Sequence, residues 1–261
     1  MEKFWPGPLT IVFPKKDIIP KETSGGLDTV ALRCPQNAAT RALIKAAGVP
    51  LAGPSANISG RPSPTTTDDV LHDMNGRISA VVDDGPCNIG LESTIIGVEN
   101  GEIVVYRPGG ITLEMLQEIG PARMDSNLIV DTGHPKAPGM KYRHYAPKAD
   151  LAIVEGPTEE VIKAINQFVK EDAANGLQSG IIATEETISQ YPDGIVKCIG
   201  SRAAEETIAH NLYEVLREFD QCQVSKIYSE AFYTPKMGQA IMNRLLKAAG
   251  HKIINVGGSN Q

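Results

Sequence analysis

Six short polar side chains, Ser55, Asn57, Ser59, Ser63, Thr65 and Thr66, crowd into the stretch AGPSANISGRPSPTT (52–66), together with two glycines, three prolines and Arg61. Hydroxyls and an amide on a backbone stiffened by proline can cradle the oxygens of a polyanion, with glycine N–H groups filling the gaps. The same composition also describes a Pro/Ser-rich turn that ends in a helix cap. A second polar group follows in STIIGVENGEIVVYRPG (93–109). There Asn100-Gly101 lies between two β-rich runs, the strongest hairpin signal in the chain. A two-residue turn pairs Glu99 with Glu102, Ile96 with Val105 and Thr94 with Arg107. Ser93, Thr94 and Arg107 are therefore expected together at the open end of the hairpin.

Other site types are set aside. GPCNIGLEST (85–94) has the glycine spacing of a phosphate loop, but Leu91 stands where the lysine belongs and a strand follows instead of a helix. There is no G-x-G-x-x-G, H-E-x-x-H or G-x-S-x-G. His134 and His144 lack zinc-like spacing. Asp83-Asp84 could hold magnesium through a nucleotide, or be plain turn chemistry. The remaining set has no evident nucleophile or acid/base pair. It suits phosphoryl or nucleotidyl transfer, in which the protein supplies position and electrostatics.

The elements that must position these residues divide into two styles. PLTIVF (8–13) and TVALR (29–33) read as strands, VPLA (49–52) as a short buried strand, and NAATRALIKAAG (37–48) as a helix ending on Gly48. TTTDDVLHDMNG (65–76) reads as a helix with a threonine cap and an apolar face of Val70, Leu71 and Met74. Residues 125–148 carry three prolines and no sustained period, and read as a long connection. Beyond them LAIVEG, GIIAT, IVKCIG, SKIYSE and KIINV alternate with helical segments, the pattern of a small parallel-sheet domain.

Charge weighs against a nucleic-acid wrapper. Residues 1–150 hold 15 Lys/Arg against 17 Asp/Glu and the rest hold 10 against 14, giving the net −6. The four cysteines are scattered, which predicts free thiols and a reducing compartment. With no apolar run of spanning length and no signal pattern, a soluble cytoplasmic protein without membrane contact is expected.

FWPGPLT (4–10), TVALRCP (29–35), PSANISGRPSPT (54–65), ESTII (92–96), YRPGG (106–110) and HYAP (144–147) resemble the threonylcarbamoyl-AMP synthase family, the Sua5/YrdC/YwlC group. MNRLLKAA (242–249) resembles the close of its two-domain Sua5 type. The resemblance implies an α/β protein. Residues 1–124 would form a YrdC-like twisted open sheet domain, N-terminally truncated, 125–148 a linker, and 149–261 a Rossmann-like parallel-sheet domain. It also implies a reaction: L-threonine and bicarbonate form a carbamate, which attacks the α-phosphate of ATP, supplied with Mg2+, to give threonylcarbamoyl-AMP and pyrophosphate. The product would pass to the machinery that transfers threonylcarbamoyl to tRNA.

Carried over by position, the ATP-binding residues would be Thr29, Ser55, Asn57, Ser63, Arg107 and Tyr145, the last reaching from the linker to help close the site. Threonine would be held by Arg33 at its carboxylate, by the backbone of Gly53 and by Ser93. No catalytic acid, base, nucleophile or metal ligand is implied. Two bland alternatives stay open: Arg33 as a strand-end salt bridge, and Tyr145 as a packing residue that pins the linker. Family members carry, upstream of FWPGPLT, a lysine and an arginine that bind the triphosphate, whereas this sequence begins MEKFWPGPLT. The chain by itself is accordingly expected to be inactive or weakly active. A second reading is a non-catalytic double-stranded RNA-binding or regulatory module, in which Lys136, Lys141, Arg143 and Lys148 of the linker could make a weak contact with RNA phosphates.

Overall fold

The computed structural model describes residues 1–128 and 145–257, and the chain folds as two compact units. The first comprises residues 1–54 and 92–142, the second residues 55–91 and 143–261. The polar loop of 55–66 therefore belongs to the same unit as the C-terminal part of the chain.

The first unit is a mixed five-stranded sheet ordered β2-β1-β3-β4-β5, built from β1 (Leu9–Pro14), β2 (Thr29–Arg33), β3 (Thr94–Glu99), β4 (Glu102–Arg107) and β5 (Ala122–Met124). β1 runs antiparallel to β2 and parallel to β3, so residues far apart in sequence become neighbours in the sheet. FWPG builds the entry to β1. Phe4 is buried, Trp5 Nε1 donates to the Leu9 carbonyl at 2.7 Å, and Gly7 N donates to Cys34 O at 2.9 Å. Leu9, Ile11, Ile96, Val105, Ile111 and Leu116 pack beside Phe4 as the core of this unit.

Helix α1 (Ala38–Ala47) starts where Asn37 Oδ1 accepts from Thr40 N at 2.8 Å and stops at left-handed Gly48, as its sequence predicts. The buried strand predicted over 49–52 does not form. No strand pairs with it, and Val49 and Leu51 are 58% and 48% exposed. Helix α3 (Leu113–Gln117) is capped by Thr112.

The second unit contains a fully parallel sheet ordered β10-β6-β9-β7-β8: β6 (Asp150–Glu155), β7 (Ser179–Ala183), β8 (Ile195–Cys198), β9 (Lys226–Glu230) and β10 (Ile253–Asn255). Alternate residues of β6 point to opposite faces. Leu151 and Ile153 pack with α5 (Glu205–Gln221) and α6 (Gly238–Ala248), while Ala152 and Val154 pack with α4 (Thr158–Ala174). The sheet is thus covered on both sides, as parallel sheets require. Helix α2 (Thr67–Met74) also lies in this unit, capped by Thr66 and Asp69 in a reciprocal capping box. The apolar face predicted for α2 is not its buried one. Leu71 is exposed, Val70 and Met74 are only partly covered, and the buried residue is Asp73.

Candidate functional site

In the first unit three strands and the residue just before a fourth bring four polar residues into a row. Arg33, at the end of β2, pairs with Thr10 on β1, so the two side chains share one face of the sheet. Thr10 Oγ1 lies 2.7 Å from Ser93 Oγ. Arg107, at the end of β4, donates through Nε and Nη2 to the Ser93 carbonyl at 3.1 and 2.8 Å, and through Nη2 to Ser93 Oγ at 3.2 Å. Ser93 and Thr10 are buried, whereas Arg33 is exposed and its side chain has no hydrogen-bond or ion-pair partner among the described residues. The arrangement sets two guanidinium groups, the groups that pair with carboxylate or phosphate, around a buried pair of hydroxyls.

Ser93 and Arg107 meet as the hairpin predicts, but by a different register. Glu99 pairs with Glu102 and Ile96 with Val105. A bulge between Ile95 and Ile96 then sets Ile95, not Thr94, opposite Arg107. Thr94 turns into the core, where its hydroxyl donates to Ile111 O at 2.7 Å and accepts from Ile111 N at 3.0 Å. It leaves the row. Gly109 makes room for the crossing, since a Cβ there would sit 2.6 Å from both Glu92 O and Thr94 N and 2.9 Å from Ser93 C.

Thr10 is the member of the row that sequence reading missed. The available signal was its place in β1, whose partner strand ends on Arg33. Thr29 pairs with Pro14 at the other end of β2 from Arg33, and Gly53 is exposed with open space around it.

The second unit holds the polar loop. Ser55 is exposed and Ser63 is buried, 8% accessible. Asn57 Nδ2 donates to Ile58 O at 2.9 Å and Arg61 O at 3.3 Å, and its Oδ1 is buried without a hydrogen-bond partner. Thr65 and Thr66 serve the helix. Their N–H groups donate to Asp69 Oδ2 at 3.0 and 3.3 Å, and Thr66 Oγ1 accepts from Asp69 N at 3.2 Å.

Arg61 Nη1 reaches Asp73 Oδ1 at 2.5 Å, and Arg217 Nη2 reaches Asp73 Oδ2 at 2.9 Å and Pro62 O at 2.6 Å. Burial pushes the Asp73 carboxyl up, but the hydrogen bonds and charges of Arg217 and Arg61 outweigh it and hold the group below the ordinary aspartate range. Gly60 O accepts from Ala146 N at 3.1 Å. Tyr145 is a core residue, with φ of 70° and its ring 5.0 Å from that of Tyr213 on α5.

Asp83 forms a turn, accepting from Gly85 N at 3.0 Å. The Thr67 hydroxyl first and then that N–H hold its carboxyl below the usual range. Among the described residues no three His, Cys, Asp or Glu side chains gather as metal ligands, and no helix is long and apolar enough to cross a membrane. Of the predicted basic patch, Lys148 donates through N and Nζ to Asp220 at 2.7 and 3.4 Å. Lys136, Lys141, Arg143, His134 and His144 lie outside the described residues.

Comparison with known proteins gives these residues a context. A family profile described as threonylcarbamoyl-AMP synthase, C-terminal domain, matches residues 111–250, and the Sua5/YciO/YrdC profile, described as telomere recombination, matches residues 1–109. The chain is 45% identical to the threonylcarbamoyl-AMP synthase of Bacillus subtilis (strain 168), over 97% of the chain and 73% of that protein. It is 42% identical to that of Pyrococcus abyssi, over 98% of the chain and 74% of that protein. For Schizosaccharomyces pombe the identity is 36%, over 95% and 65%.

Among solved structures, P. abyssi Sua5 complexed with L-threonine superposes with a TM-score of 0.89 at 40% identity, covering 98% of this chain and 74% of that one. A His/Tyr double-alanine variant of the same protein gives 0.91 at 39%, covering 100% and 74%. The chain belongs to the threonylcarbamoyl-AMP synthase family, a family of nucleotidyltransferase-type enzymes with the two-part Sua5 architecture.

Proposed function

We propose that the chain binds MgATP and L-threonine and carries out the synthase reaction. The threonine amine and bicarbonate combine to a carbamate with loss of water. A carbamate oxygen then attacks the α-phosphorus, and the bond to pyrophosphate breaks. The observation that carries this reading is the row Arg33, Thr10, Ser93 and Arg107, a cationic and hydroxyl-lined edge in a chain whose P. abyssi relative is described in complex with L-threonine. Arg33 takes the threonine carboxylate, with Gly53 and Ser93 around the amino acid. Arg107, held in orientation by Ser93, takes phosphate oxygens.

Ser55 and Ser63 add hydroxyls for the nucleotide, with Thr29 near it, and the unpartnered Asn57 Oδ1 accepts from an amino or hydroxyl group of adenosine. Tyr145 contributes by anchoring the start of the C-terminal part through its stack on Tyr213. The chemistry asks for no protein nucleophile, which suits a site without one. The product then goes to the tRNA threonylcarbamoyl-transfer machinery.

Calorimetric titration of the whole chain tests the reading. MgATP binding should fall about tenfold to a hundredfold in Arg107→Ala and in Ser55→Ala, the range expected for loss of a charge-assisted contact of about 1.5–3 kcal/mol. Arg33→Ala should weaken threonine alone. Absence of ATP and threonine binding in the unaltered chain, or variants that bind as well as it does, would overturn the reading. Pyrophosphate release measured on the same sample tests the turnover.

A further inference from the structure

The loop 55–66 is assigned by sequence profile to the N-terminal half of the family, yet it folds with the C-terminal half. The fastening is specific. Arg217 lies on α5 and is 8% accessible, and one of its nitrogens, Nη2, donates both to Pro62 O at 2.6 Å and to Asp73 Oδ2 at 2.9 Å. Pro62 O belongs to the peptide unit whose nitrogen is that of Ser63. A peptide is planar, so holding its oxygen sets the direction of the Ser63 N–H and of the chain leaving it.

Asp73, on α2, is gripped from the other side by Arg61 of the same loop. Arg61, Asp73 and Arg217 thus clamp the loop at two successive residues, 61 and 62. The return arm of the excursion rests on the same helix. His210 Nδ1 lies 3.2 Å from Asn88 O, and a Cβ on Gly90 would fall 2.3 Å from His210 O.

We infer that Arg217 is a positioning residue for nucleotide binding: the C-terminal domain, through α5, fixes the Ser63 peptide and so the loop that meets ATP. The inference rests on the nucleotide reading above. It makes the C-terminal domain part of the ATP site without contributing an atom to the ligand. Arg217 has a task that its charge alone cannot perform. A lysine keeps the positive charge beside Asp73, but its flexible stem does not hold a nitrogen fixed between Pro62 O and Asp73 Oδ2 as the rigid, planar guanidinium holds Nη2.

The test uses the whole chain, with Arg217→Lys as the deciding variant and Arg217→Met beside it. Circular dichroism and a thermal melt establish that each is folded, and calorimetry then measures MgATP and L-threonine separately. Arg217→Lys should lose tenfold or more in ATP affinity, keep threonine affinity within twofold, and show faster amide exchange at residues 63–66. Arg217→Met, where it folds, should lose at least as much. General damage to the fold would weaken both ligands together. Equal ATP affinity in Arg217→Lys and the unaltered chain, alongside a Ser63→Ala variant that does weaken ATP, would overturn the inference and leave the nucleotide reading standing. Failure of the unaltered chain to bind ATP would overturn both.

Discussion

Gly109→Ala tests whether the Ser93–Arg107 pairing depends on close backbone approach. The new Cβ would lie 2.6 Å from Glu92 O and from Thr94 N, where ordinary contact begins at 3.4 Å, so a separation of 3.4 − 2.6 = 0.8 Å must be found. The atoms it meets are backbone, fixed by the β1–β3 pairing, and cannot swing aside as a side chain would. Taken up along the contact with Ser93, that shift would lengthen the 2.8 Å bond from Arg107 Nη2 to Ser93 O to about 3.6 Å, which is no longer a hydrogen bond.

Overpacking costs about 1–3 kcal/mol, and loss of a charged hydrogen bond about 1.5–3 kcal/mol. The two overlap, so a total of about 2–5 kcal/mol is expected. The single tryptophan, Trp5, lies in the first unit, and urea unfolding followed by its fluorescence reads this unit specifically. Gly120→Ala is the control. Its Cβ would meet nothing within 4 Å, and it should be neutral or slightly stabilising. A Gly109→Ala chain within about 0.5 kcal/mol of the unaltered one would refute the reasoning, being no more than an ordinary surface substitution changes.

Two further outcomes follow from the charged side chains. Asp73→Ala leaves Arg217 buried without its carboxylate and should cost about 3–5 kcal/mol in urea unfolding. Adding Arg217→Met should recover part of that loss, and a strictly additive double-mutant cycle would contradict the coupling. The second concerns acid. Burial raises the Glu186 carboxyl, but the Ser201 and Thr184 hydroxyls and the Arg202 N–H outweigh it and bring it from 4.5 to about 2. Asp73 and Asp172 are held low in the same sense by their cationic partners, against burial. Folded values below unfolded ones mean that the unfolded chain takes up more protons in acid. The stability they confer is therefore intact above about pH 4.5 and lost as pH falls toward 2. The urea midpoint should hold from pH 7 to 5 and fall below that, less steeply in Glu186→Gln. A flat midpoint down to pH 3 would contradict the assignment.

Local signals carried much of this fold. TVALR became β2 at its predicted bounds, Asn37 and Gly48 delimit α1, and Asn100-Gly101 made the predicted turn. These features depend on residues within a few positions of one another. The misreadings depend on distant partners. Asp73 is the buried residue of α2 because Arg217, 144 positions away, waits for it, and no helical periodicity contains that fact. The bulge at Ile95/Ile96 removed Thr94 from the site because Ile111 offers it both a donor and an acceptor. The site itself was half legible. Ser93 and Arg107 could be brought together by counting through a hairpin, but Thr10 enters through the parallel pairing of β1 with β3, which brings its hydroxyl to that of Ser93, 83 positions away.

The excursion of residues 55–91 also sets a timetable. During synthesis this segment is made before α5, whose last residue is 221, so 221 − 91 = 130 residues separate the end of the loop from the completion of the helix it rests on. At about 5–20 residues per second that is a wait of roughly 6–26 s. Through that interval Asp73 and Arg61 must do without Arg217, and α2 has only its own caps. The strands of the first sheet lie on either side of this segment, and all of them have been made once β5 ends at Met124, well before α5. The nascent chain therefore carries an unfinished loop until its C-terminal third has emerged.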